Sequence, residues 1–131
     1  MTDPLWRKGR KLDEVQARIL YGMATKLDGL PGEFPPTDCG SSGLGVAKAA
    51  KALGYISACH HAFGLEHALA ALTLGPVIVG FDWREGCDEP DKDGLVRYRG
   101  RNRGAHEVEA YGLDVDREFV HLYNSWSPSW V

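Results

Sequence analysis

A change of hydrophobic period partway along this 131-residue chain constrains its fold more than any other feature. In the front part, apolar residues recur every three or four positions. Leu12, Val15, Ile19, Leu20, Met23 and Leu27 predict an amphipathic helix over 12–27. Asp28 to Pro36, with Gly29, Pro31, Gly32, Pro35 and Pro36, ends it. A second helix is expected to start near Ser41 or Ser42, whose hydroxyls suit an N-cap. It runs through the alanine-rich Val46–Leu53 to Gly54, placed where a left-handed C-terminal residue is expected. A third helix over Leu65–Leu74 stops at Gly75–Pro76. Beyond that point the period shortens. Val77–Phe81 reads as a buried strand, Trp83–Lys92 as a polar loop and Leu95–Tyr98 as an edge strand. Two longer strands, Ala105–Leu113 and Glu118–Asn124, flank an acidic turn at Asp114–Asp116. Helices first and antiparallel strands afterwards give an α+β layout in a single domain over 1–131.

Composition narrows the classes of function. A net charge of −3 with 44% hydrophobic and 25% charged residues is ordinary for a folded domain. It argues against non-specific nucleic-acid binding, which needs clustered cations. Arg97, Arg99, Arg101 and Arg103 lie among glycines and read as a solvated loop. No apolar run reaches the ~20 residues of a membrane span, and the polar, basic stretch Met1–Leu12 lacks the apolar centre of a signal peptide. Neither nucleic acid nor membrane is therefore an expected partner, and the compartment is expected to be cytoplasmic or virion-associated. The three cysteines, Cys39, Cys59 and Cys87, cannot all pair with one another and are expected to be reduced. Cys59, His60, His61 and His67 lack zinc-type spacing. The acidic loop Glu89–Gly94 lacks the closing glutamate of a calcium loop. No metal or other cofactor is expected.

The most informative residues lie on the last two strands. Side chains alternate along a strand, so His106, Val108 and Ala110 share one face, and Val120, Leu122 and Asn124 share a face on the return. A three-residue loop of Asp114, Val115 and Asp116 pairs Leu113 with Arg117 and sets His106 directly opposite Asn124, close enough for the amide to orient the imidazole. A two-residue loop would lose that pairing.

Gly104-Ala105-His106, strand, turn, strand, and Asn124-Ser125-Trp126 resemble, in order and spacing, the His and Asn-Ser-Trp segments of the papain-like cysteine peptidases. Upstream, Asp38-Cys39-Gly40-Ser41-Ser42 before an alanine-rich helix resembles that family's glycine-rich groove segment, and Leu65–Trp83 resembles the helix and strand that follow. The likeness covers about residues 12–130 and is nearest to the papain-like proteins of actinobacteria and their phages. It implies a partial papain-like fold with His106 as general base and acid, Asn124 orienting its ring, and Trp126 covering the His–Asn bond. Gly40 and Ser41, with Ala105 nearby, would line a groove for an extended peptide or protein substrate.

The chain departs from the family at its chemical centre. The resemblance places the nucleophilic cysteine before the helix at 12–27, and the residues standing there include no cysteine. The family's oxyanion-hole glutamine has no counterpart either, since Gln16 falls within that helix. Cys39-Gly40-Ser41-Ser42 imitates a nucleophile signature. However, Cys39 and Ser42 stand only about half the family's ~130–150 residues ahead of the histidine. Ser127 replaces a family glycine, and the closing strand is absent. The sequence therefore reads as a papain-like domain cut back at both ends, inactive alone, and paired with an oligomeric copy or a complementing chain. A non-catalytic peptide- or partner-binding module and a phage virion component are the competing expectations.

Overall fold

The computed structural model describes residues 12–127 and Trp130. The polar stretch 1–11, read above for a signal peptide, lies outside the described residues, as do Pro128, Ser129 and Val131. The described chain is α+β, with three helices followed by a three-stranded antiparallel sheet. It divides into two compact units, Met1–His61 and Ala62–Val131.

The first unit is a helix pair, α1 (Glu14–Leu27) and α2 (Gly43–Ala52). Asp13 caps α1, its carboxylate accepting the N–H groups of Val15 and Gln16. Ser42 caps α2, its hydroxyl accepting the Gly45 N–H at 3.1 Å. At the far end of α2, Gly54 takes a φ of 73°. The Tyr55 N–H then reaches Ala50 O at 2.8 Å and the Gly54 N–H reaches Lys51 O at 3.0 Å, a Schellman closure that only a left-handed residue permits cheaply. The residues sealed between the helices are small: Ala24, Thr25, Gly45 and Ala49. Gly45 makes this approach possible, because a Cβ there would stand 2.7 Å from the Asp28 Cβ.

Polar ties hold the segment between the helices. Thr25 Oγ1 accepts the Phe34 N–H at 3.1 Å. Asp28 accepts the Leu30 N–H at 2.8 Å and the Ser41 hydroxyl at 2.7 Å. The Tyr55 hydroxyl donates to the Gln16 side chain, so this glutamine joins helix to loop. One flank of α1 remains open. Val15, Ile19, Gly22, Met23, Phe34 and Pro35, with Arg18 and Lys26, line a groove of about 570 Å³.

The second unit comprises α3 (Leu65–Leu72) and a sheet in the order β1 (Val77–Arg84), β2 (Asn102–Asp114), β3 (Phe119–Tyr123). Its core is Trp83, Cys87 and Val108, packed by Val79, Phe81, Val96, Leu122 and Trp130. Two expectations are corrected here. Trp83 and Arg84 continue β1 rather than opening a polar loop, because the alternation that half-buries Val77, Val79 and Phe81 carries on to the buried Trp83. Residues 95–98 form no strand. Their neighbour Glu85–Cys87 is coiled into a 3₁₀ turn, so only isolated bonds form, such as Gly86 N–H to Arg99 O at 2.9 Å and Arg97 N–H to Gly86 O at 3.2 Å.

Candidate functional site

The hairpin that carries the site closes differently from the sequence expectation and still reaches the same face. The turn is four residues, 115–118, with Asp114 opposite Phe119 and Leu113 opposite Val120 rather than Arg117. Asp114 holds it by accepting the Arg117 N–H at 3.0 Å, and Glu118 adopts a φ of 57°. Such a turn alone would send Asn124 to the side opposite His106, since a slip by an odd number of residues, here three, exchanges the faces. The register shifts between Ala110 and Gly112, leaving Tyr111 as an extra residue in β2. Ala110 then faces Leu122, and Asn124 returns to the side of His106 as a diagonal rather than direct neighbour.

Across that offset the two side chains meet, with His106 Nε2 2.9 Å from Asn124 Oδ1. The same Oδ1 accepts the Ser125 N–H at 2.8 Å, which fixes the end of the amide that faces the ring. An amide oxygen only accepts, so in the neutral imidazole Nε2 carries the proton and Nδ1 keeps the lone pair. The arrangement thus leaves one defined ring nitrogen for a proton. Among the described residues the buried amide Nδ2 has no partner, so the oxygen carries the amide's bonding there.

Aromatic rings enclose the imidazole. Trp126 lies with its centroid 5.0 Å from that of His106 at 43°, and is itself 46% exposed. Trp83 stands nearly perpendicular to the imidazole at 4.8 Å and 77°, and also meets Trp126 at 4.9 Å. Trp130 packs on both tryptophans, its indole N–H donating to Cys87 O at 3.3 Å. Sequence reading missed Trp83 and gave no role to Trp130. Extending the β1 alternation by one more repeat would have placed Trp83 on the His106 face.

The other residues singled out sit elsewhere. Ala105 precedes His106 on β2, pairs with Asp82 and points to the opposite face, exposed. Gly40 and Ser41 belong to the first unit. Gly40 has a φ of 74° with open space above its Cα, and its N–H donates to the Tyr21 hydroxyl at 2.8 Å. That hydroxyl in turn donates to Asp38. The hydrogen bond to the Asp38 carboxylate, with a smaller contribution from burial, holds the Tyr21 phenol above its ordinary pKa. Ser41 spends its proton on Asp28, which the Leu30 N–H and then the Ser41 hydroxyl hold below the ordinary carboxylate range. All three cysteines are free: Cys39 is half-buried beside Gly32, Cys59 is exposed and Cys87 is fully buried.

Among the described residues, no cluster of three His, Cys, Asp or Glu side chains is placed to hold a metal, and no helix is long and apolar enough to cross a membrane. No family model, no curated protein and no solved structure matches the chain.

Proposed function

We propose that the chain is a papain-like, thiol-peptidase-related protein that keeps the base and its orienter but not the nucleophile they would serve. The observation that carries this reading is the Nε2···Oδ1 bond of 2.9 Å beneath Trp126, with the amide end fixed by Ser125. A thiol brought to Nδ1 would give up its proton there. Asn124 Oδ1 would accept from Nε2–H and favour the imidazolium of the resulting ion pair. Gly40 and Ser41 would contact an extended peptide. Because its N–H is already engaged by Tyr21, Gly40 would offer its carbonyl and the open space above its Cα.

Two of the chain's own candidates fit the nucleophile's part poorly. Cys87 is fully buried in the tryptophan core, closed to a substrate. Ser42, the false signature's hydroxyl, is spent in capping α2. Without a nucleophile in reach, a base accelerates nothing. The 131-residue chain alone is therefore expected to hydrolyse no fluorogenic peptide above background, with or without an epoxide-type thiol-protease inhibitor. Inhibitor-sensitive turnover that disappears in Cys39→Ala would overturn the reading.

The groove along α1 favours a second reading, a module that binds a peptide or protein partner. Val15 and Ile19 are 60% and 45% exposed there, which is costly for a surface with no role. Light scattering that shows a monomer at all concentrations, together with no chemical-shift change at Val15, Ile19 or Met23 on adding amphipathic peptides, would remove it.

A further inference from the structure

Trp83 takes no part in the His–Asn reading, yet it is the most deeply buried large side chain that touches His106, at 2% exposure. We propose that Trp83, locked from behind by Asp88, is a positioning residue that sets the plane of the His106 ring. The inference rests on the proposed base role of His106.

A single hydrogen bond to Asn124 fixes where Nε2 points but leaves the imidazole free to roll about the Nε2···Oδ1 line. Stopping that roll takes a wall that does not itself move. Trp126 is a poor wall, being half exposed. Trp83 is a good one, for three reasons. It sits on β1 in the same face row as Phe81, which pairs directly with His106, so the sheet register sets its distance from the ring. Its ring plane is 77° from that of the imidazole at 4.8 Å, the edge-to-face geometry that aromatic quadrupoles favour. Its indole N–H donates to Asp88 Oδ1 at 2.9 Å, and the other Asp88 oxygen lies 3.6 Å from Arg103 Nη2, so the indole is held at its far end. Phe81 backs the indole at 5.5 Å. The chain of restraint thus runs from Asp88 through Trp83 to His106 and ends at Asn124.

The test reads the ring proton by NMR and needs no activity. In the wild-type chain, the His106 Nε2–H should give a resolved signal protected from exchange with water. Asp88→Ala removes the anchor of a partly exposed side chain and leaves the indole volume in place. It should speed exchange of that proton by about twofold to tenfold, the range that one aromatic pair is worth. Asp88→Asn keeps an acceptor oxygen and should restore the wild-type rate. Should Asp88→Ala fail to fold, Trp83→Phe, which deletes the indole N–H but keeps an aromatic ring, should show the same acceleration. A wild-type exchange rate in whichever of the two folds would overturn the inference while leaving the His–Asn pair intact. A wild-type chain with no protected ring proton, or one whose proton survives Asn124→Ala, would overturn the pair and the inference with it.

Discussion

The two units are held together by different means. In the first, the sealed residues are small, Ala24, Thr25, Gly45 and Ala49, and the large apolar side chains of α1 lie outward in the groove. What fixes this unit is backbone closeness and polar ties: a cap at each helix start, Thr25 and Asp28 gripping the connecting segment, and Tyr55 on Gln16. In the second unit the sealed residues include an indole, and three tryptophans, Trp83, Trp126 and Trp130, pack on one another beside the His106–Asn124 pair. The difference is one of packing: close backbone approach and polar ties hold the first unit, whereas large rings set by the sheet register hold the second.

The contrast can be broken most severely at Trp83. Truncating a buried indole leaves a cavity that its neighbours fill only partly, so Trp83→Ala should cost about 3–5 kcal/mol in urea unfolding of the second unit. No side chain sealed in the first unit is large enough to match that when truncated. A cost below about 1 kcal/mol would mean that the tryptophan cluster is not the second unit's core.

The first unit should instead be sensitive to added volume. Gly45→Val places a Cβ into space already taken by Asp28 Cβ, Ala24 O and Ser41 Oγ, and should destabilise the helix pair by about 2 kcal/mol. A neutral result would show that the helices can part without loss.

Smaller effects follow at the polar positions. Ser42→Ala should cost about 1 kcal/mol by orphaning the Gly45 N–H. Asn124→Ala should cost a similar ~1 kcal/mol while leaving the second unit folded. Circular dichroism with urea titration measures both. A collapse of the sheet in Asn124→Ala would make the pair structural in the first instance.

The smallest differences are electrostatic. Asp28 and Glu85 both have pKa values lowered in the folded chain, Asp28 chiefly by the Leu30 N–H and Glu85 chiefly by the Arg101 side chain. Each contribution is complete above the ordinary carboxylate pKa and is lost as pH falls through the depressed folded value, so both units should weaken below roughly pH 4. Salt should separate them. Arg101 is 86% exposed, so the Glu85 carboxyl titration should move back toward its ordinary range at high ionic strength, while that of Asp28, held chiefly by neutral donors with only a minor contribution from the Lys48 charge, should move less. Carboxyl carbon NMR titrations at two salt concentrations check this.

The sequence by itself determined most of the elements and their order, though not the unformed strand at 95–98 or the extension of β1 to Arg84. Local periodicity and local caps are set by neighbours along the chain, so α1, α2, α3, β1 and the final hairpin could be read from Leu12, Ser42, Gly54 and the alternation after Val77. It also pointed to His106 and Asn124 as partners. Only the tertiary structure decided how they meet: the four-residue turn moves the partner of Leu113 three residues on, from Arg117 to Val120, the Tyr111 bulge takes one residue back, and the net shift of two keeps the side-chain direction. Bulges follow from how strands twist and pack against neighbours, which no stretch of sequence specifies on its own. The same holds for Trp83. Its identity is written in the sequence, but its perpendicular seat against His106 depends on β1 lying beside β2 and on Asp88 folding back from a 3₁₀ turn, contacts that exist only once the sheet has formed.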